Sequence, residues 1–351
     1  MRIKCTVNLT TVILLAVSLA SEGCFNKPVE EKRPLSAVVW PTAPEIPRIR
    51  FLRIISKPED LEIHAGIFRR FIKALTGKVN KSIVAPYGLE TDSSGRLYVV
   101  DTGLKTIHVF DAVKNAYHSF PTEKTSFTSP IDIAVDDRRG FIYVSDSTQR
   151  VVKIFRIAGK TFEKEIGKGV FERPTGIAIN EKTSELLVVD TLSAKVLRYN
   201  LNGLYLKGKF GGNGTEAGKF HYPTNIFVAE NGNIFVSDSL NFRIQVFTPQ
   251  GEFLSTFGSA GDSPGYFSRP RGVAADSEGN IYVVDAIFDN IQIFDQNGSL
   301  LMAFGGPGNG YGQFWLPAGI YIDKNDTIYV SDYHNKRVQV FQYLKKGAAG
   351  P

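Results

Sequence analysis

Ile234-Phe235-Val236-Ser237-Asp238-Ser239-Leu240-Asn241-Phe242-Arg243-Ile244-Gln245-Val246-Phe247 returns further along as Tyr329-Val330-Ser331-Asp332-Tyr333-His334-Asn335-Lys336-Arg337-Val338-Gln339-Val340-Phe341. Each copy is a run of β-branched and aromatic residues, a polar turn after an Asp, and a second such run, the pattern of an antiparallel hairpin. Working outward, a Pro stands fifteen or sixteen residues before the Asp and an aromatic ring nine after it. The register occurs six times: Pro86/Asp101/Phe110, Pro130/Asp146/Phe155, Pro174/Asp190/Tyr199, Pro223/Asp238/Phe247, Pro270/Asp285/Phe294 and Pro317/Asp332/Phe341. Successive Asp residues lie 45, 44, 48, 47 and 47 apart, long enough for one four-stranded sheet and too short for an independent domain. In the fifth unit, strands are expected at 272–275, 281–284, 291–294 and 300–304, with turns at Ser277-Glu278-Gly279-Asn280 and Gln296-Asn297-Gly298. Such a sheet has two faces to cover and cannot bury both alone. The units must therefore stack around an axis, and the expected fold is all-β, a six-bladed β-propeller with the repeat aromatics filling the space between blades.

Five of the six units also place a Phe three residues before the Pro: Phe127, Phe171, Phe220, Phe267 and Phe314, with Ile83 in the first. With these residues the chain resembles the NHL-repeat family of six-bladed propellers over residues 84–342. The sixth unit ends after its third strand, which would leave an open edge. Upstream, Arg48-Ile49-Arg50-Phe51-Leu52-Arg53-Ile54-Ile55 has the composition of the missing strand, so residues 46–56 are expected to close blade six. The propeller is then assigned to 46–344, with a flexible tail at 345–351. An inserted amphipathic helix is expected at 60–77, capped by Asp60 and ended by Gly77, with Leu61, Ile67, Phe68, Phe71, Ile72 and Leu75 on one face.

Residues 1–23 read as a signal peptide, with basic Arg2 and Lys4 ahead of an apolar run. Leu19-Ala20-Ser21-Glu22-Gly23-Cys24 resembles a bacterial lipoprotein cleavage box, with Cys24 as the lipidated residue. Ser21 and Glu22 depart from that box, so plain secretion after Ala20 stands as the alternative. The expectation is an exported cell-envelope protein, an outer-membrane lipoprotein or else periplasmic or secreted. Residues 24–45, rich in Pro, would be a tether from a membrane lipid anchor. Cys5 is the only other cysteine, so a processed chain has no intramolecular disulfide.

The net charge of +6 raises nucleic-acid binding, which some animal relatives of the resembled family perform. Lys195, Arg243 and Arg337 each stand five residues after the repeat Asp and are expected to pair with it. Together with export, this structural use of charge argues for no nucleic-acid partner.

Propeller sites gather at the axial channel. The residues just after the repeat Pro are Tyr87, Ile131, Thr175, Thr224, Arg271 and Ala318; the next are Gly88, Asp132, Gly176, Asn225, Gly272 and Gly319. Asp132 and Asn225 break a glycine rule. With Tyr87 and Arg271 they are candidate contacts for a cation or small polar ligand, or else they hydrogen-bond neighbouring loops. Amidating lyases on this kind of propeller carry zinc histidines right after the repeat Pro, and none of the six positions is His. Gluconolactonase-like propellers hold calcium with a Glu, Asn and Asp set; Asp132 and Asn225 can supply two, and Glu90 the third if it faces the axis. No cofactor is assigned, calcium being the one to consider. The expected function is a non-catalytic, envelope-anchored platform for an envelope protein or polar ligand, and the alternative is a metal-dependent hydrolase or lyase in the channel. Phe242, Phe288, Tyr333 and His334, in the loops after the repeat Asp, are the expected interaction face.

Overall fold

A computed structural model of the chain describes residues 38–63, 81–121 and 125–345. The signal segment, Cys24 and nearly all of the expected helix, residues 64–80, lie outside these described residues. The described residues form six antiparallel sheets, and strands one to three of each follow one another in sequence and in space. The innermost strands, Pro86–Thr91, Pro130–Asp136, Pro174–Asn180, Pro223–Val228, Pro270–Ala275 and Pro317–Ile322, begin at the repeat Pro. In every blade that Pro pairs with the repeat Asp at the end of the second strand, and the ladder slips just after it. The Pro end of each inner strand therefore shares an upper face with the loop that follows the Asp.

Burial follows the radial order. Second strands such as Ile234–Asp238 and Leu97–Asp101 are buried throughout, because both faces of the sheet meet a neighbouring blade. Outer strands such as Phe162–Ile166 and Phe253–Phe257 are largely exposed. The repeat aromatics fill the wedges between blades. Phe155 meets Phe120 at 5.0 Å and Phe127 at 5.7 Å between ring centroids. Phe247 meets Phe210 at 4.8 Å and Phe220 at 5.6 Å, and Phe294 meets Phe257 at 4.9 Å and Phe267 at 5.6 Å. One wedge thus holds an aromatic from the third strand, one from the outer strand of the blade before it, and the Phe three residues before the Pro.

Each repeat Asp is buried and works as a hub. Asp146 accepts backbone N–H groups from Thr128 and Ser129 ahead of the blade and from Thr148 and Gln149 in its own loop, at 2.7 to 3.2 Å. Asp238 and Asp332 add Arg243 at 2.8 Å and Arg337 at 2.7 Å, as the spacing predicts. Lys195 makes no such pair with Asp190, which is held instead by the N–H groups of Glu172 and Arg173. A hydroxyl one residue before the Asp stitches alternate blades to the next inner strand: Ser145 donates to the Thr175 carbonyl at 2.6 Å, Ser237 to that of Arg271, and Ser331 to that of Tyr87 at 2.6 Å.

In the sixth sheet, Ile49–Ile55 lies antiparallel to Arg337–Tyr343, with Ile49, Phe51 and Ile55 buried. Two departures from expectation follow on either side of it. Val39–Trp40, inside the stretch expected as a tether at 24–45, pairs with this strand as a short outer strand. The indole of Trp40 explains it, standing 5.7 Å from Phe304 and 5.9 Å from Phe341 as a cover on the apolar wedge. Asp60 does not cap a helix at its start; it closes a 3-10 turn, Pro58–Leu61, by accepting the Ser56 and Lys57 N–H groups at 2.7 and 3.1 Å.

Candidate functional site at the axial channel

The six inner strands enclose a channel cavity of about 170 Å³. Its width is set by the glycine ring two residues after the Pro. A Cβ on Gly176 would stand 2.7 Å from the Asn225 Cα, and one on Gly88 would strike the Asp132 carboxylate. Neighbouring inner strands approach too closely at this level for two side chains in succession. Asp132 and Asn225 fit because each is preceded around the ring by a glycine.

Glu90, Asp132 and Asn225 all line this cavity, so the third member of the set expected from the sequence does face the axis. Their hydrogen bonds are mostly internal. Asp132 Oδ2 accepts the Ile177 N–H at 3.1 Å and Glu90 Oε2 the Val135 N–H at 3.1 Å. Both carboxylates thus tie one inner strand to the next. Asn225 is only 6% exposed and its Oδ1 has no partner. Burial pushes the Asp132 carboxyl up to about 7 against the lowering effect of the Ile177 and Ile133 N–H groups. Burial likewise holds Glu90 well above the usual carboxylate range; the Val135 N–H opposes this and the negative charge of Asp132 adds to it. Calcium asks for six or more oxygens, whereas here two carboxylate oxygens are already spent on backbone donors. Among the described residues no group of three His, Cys, Asp or Glu side chains is placed to hold a metal ion.

The raised Asp132 value has a consequence for stability. The folded chain keeps a proton that the unfolded chain loses near 3.8, so this group's contribution falls as pH rises from about 4 to about 7. Asp132→Asn is expected to match the wild type at pH 4 and to exceed it at pH 8 by about 1–3 kcal/mol in denaturant unfolding. A wild-type advantage at pH 8 would mean that the ionised carboxylate is stabilised by something the channel walls do not supply.

Above the cavity, at the Pro end of the strands, lies a second hollow of about 110 Å³ lined by Tyr87, Arg173, Tyr222, Arg269 and Arg271 with a wall of hydroxyls. Tyr87 and Arg271 belong to the residues expected from the sequence. Arg173, Tyr222 and Arg269 do not; they immediately precede Pro174, Pro223 and Pro270, and comparing that position across the repeats was the available signal. The Arg271 guanidinium lies 5.8 Å from the Tyr87 ring centre, and Tyr87 meets Tyr333 edge-on at 6.3 Å. Tyr333 in turn contacts His334 at 5.0 Å. The other two residues of the expected interaction face are half-buried, with Phe242 packed against a core cluster that includes Phe267 and Phe294. The solvent-facing apolar groups of these loops are aliphatic: Leu104, Leu192, Leu240 and Ile287, between 36% and 54% exposed.

A family model described as NHL repeat matches residues 314–341, and another described as a six-bladed β-propeller matches residues 215–291. The described residues form a six-bladed β-propeller whose last blade carries an NHL-repeat match. Among solved structures, this propeller is similar to an auxiliary nutrient-binding protein from Bacteroides thetaiotaomicron, with 14% identity, a TM-score of 0.61, and 76% of this chain and 71% of that one covered. A protein of unknown function from the same organism has 17% identity and a TM-score of 0.59, with the same coverage of 76% and 71%. Virginiamycin B lyase from Staphylococcus aureus has 13% identity and a TM-score of 0.55, with 74% and 96% covered. At such identities the likeness speaks for the fold, which binders and a lyase share.

Proposed function

We propose that the protein is a non-catalytic binding propeller of the cell envelope, exported and tethered through Cys24, that holds an envelope protein or a small polar ligand at the upper mouth of its channel. Its ring is held closed by the early strand at 46–56. The observation that carries this role is the make-up of the upper face: exposed Leu104, Leu192, Leu240 and Ile287 in the loops after the repeat Asp, on the face where Tyr and Arg side chains line the hollow. An apolar group set near charge is what interface anchors require. The nutrient-binding neighbour lends support by analogy, as does the internal use of the channel carboxylates.

The alternative, a metal-dependent hydrolase or lyase, draws on the orphaned Asn225 Oδ1 and the lyase neighbour. The two separate in one comparison. Full-length protein and a Leu192→Ser/Leu240→Ser/Ile287→Ser variant are used as bait in native envelope fractions. A platform captures a discrete partner that the variant loses by at least about tenfold. Capture that ignores the rim, together with a calcium- or zinc-dependent rise in thermal midpoint abolished by Asp132→Ala, favours the enzyme.

A further inference from the structure

We propose that the upper mouth is an oxyanion site, taking the carboxylate or phosphate group of a small ligand through Arg173, Arg269 and Arg271. This deepens the binding-propeller proposal, on which it rests, by naming the ligand's chemistry. Three half-buried guanidiniums from blades three and five converge on one hollow. Among the described residues none of them pairs with a carboxylate, whereas Arg96, Arg139, Arg198, Arg243 and Arg337 each do. Gathering positive charge away from bulk water without a counter-ion is unfavourable, so an arriving anion relieves an existing cost as well as making new bonds.

Two of the three arginines are also held in place before any ligand arrives. Arg173 donates to the Tyr222 hydroxyl, its guanidinium 5.6 Å from that ring centre, and Arg271 rests against Tyr87 at 5.8 Å. The threonine and serine hydroxyls around them are already committed. Thr175 pairs with Thr191 at 2.8 Å and Thr224 with Ser239 at 2.7 Å, and Thr191 and Ser239 donate onward to the Pro223 and Pro270 carbonyls at 2.7 Å. The wall is therefore stiff and polar, and the guanidinium forks are the charged donors facing the hollow, beside the Tyr87 and Tyr222 side chains. Planar forks match the paired oxygens of carboxylate and phosphate, and fixing them in advance lowers the entropy lost on binding.

Titration calorimetry of the full chain with citrate and with inorganic phosphate, at constant ionic strength set by chloride, tests the assignment. At least one of the two should bind in the millimolar range or tighter, and the stronger decides between a carboxylate and a phosphoryl ligand. Arg173→Gln/Arg271→Gln should weaken binding by about tenfold or more. Arg271→Lys, which keeps the charge and loses the fork, should weaken it several-fold, and Arg138→Gln, at an exposed site, should leave it unchanged. If the double variant lowers the unliganded melting point, Arg269→Gln and Arg271→Lys carry the comparison. Binding that survives in the mouth variants, or falls equally in Arg138→Gln, belongs to the general basic surface and overturns the site. No heat with either anion up to about 10 mM also overturns it. Partner capture through the aliphatic rim would be untouched by either failure, so the platform proposal stands or falls separately.

Discussion

Removing residues 46–56 is expected to lower the thermal midpoint by more than about 10 °C or to prevent folding altogether. The segment contributes Ile49, Phe51 and Ile55, each at most 2% exposed, and burying such side chains is worth about 1.5–3 kcal/mol apiece. Its ladder with Arg337–Tyr343 runs from Ile49↔Tyr343 to Ile55↔Val338. Without it the third strand of blade six becomes an open edge, and the wedges on both of its faces lose a wall. For a chain of 351 residues each kcal/mol moves the midpoint by about 1–2 °C, and the lost ladder and opened wedges add to the three side chains. A single change gives the same answer on a smaller scale. Phe51 packs at 5.5 Å from Phe341 and 5.0 Å from Tyr311, and Phe51→Ala should cost about 3–5 kcal/mol. A midpoint unchanged by the deletion would mean that the ring does not depend on this strand.

The second large effect concerns the repeat Asp, and its size should differ between blades. Asp332 accepts the Trp315 N–H at 2.9 Å, both oxygens accept Asn335 Nδ2, and Arg337 Nε donates at 2.7 Å. Arg337 is only 7% exposed, with its other donors on the Asn309, Gly310 and Gln313 carbonyls. Asp332→Ala leaves that guanidinium buried without its counter-charge, which costs about 3–5 kcal/mol. Among the described residues Asp190 serves only backbone donors, at 2.9 and 2.6 Å from Glu172 and Arg173, so Asp190→Ala should cost less, about 1–3 kcal/mol. Chemical denaturation of the two variants reads the difference. Replacing Asp332 and Arg337 together by apolar residues should recover part of the loss, because the uncompensated charge goes with its partner. Equal losses at the two positions would show that the buried pair carries no weight of its own.

The fold was legible because six copies of one pattern report on one another. Pro, Asp and aromatic each occupy a single structural place in all six blades, so the register survives the loss of a member, as where Ile83 replaces the Phe before Pro86. In blade five the strands run Pro270–Ala275, Ile281–Asp285, Asn290–Phe294 and Leu300–Gly305, within two residues of expectation. The upper site was only half legible. Tyr87 and Arg271 stand in the inner strand, where the period points, but Arg173 and Arg269 precede the Pro, at a position held in the other blades by Ala85, Ser129, Tyr222 and Leu316. Comparing that position across the copies singles out its Arg and Tyr members, but only the closed ring brings blades three and five to one hollow. Rim exposure was likewise out of reach: Phe242 has the composition of an anchor, but its left-handed backbone, with φ of 55°, accompanies packing on a core wedge. Trp40 was read with the prolines around it, and its pairing depends on an edge that exists only once the early strand is in place.

Hydrogen exchange on the full chain, free and with the partner or ligand retained from native envelope, tests the binding face most directly. Slowed exchange is predicted in the loops after the repeat Asp, at 102–105, 191–193, 239–242 and 286–289, and at the residues before Pro174 and Pro270, with the turns at the opposite end of the blades unchanged. Protection confined to those opposite turns or to the exposed outer strands would contradict a site at the channel's upper mouth.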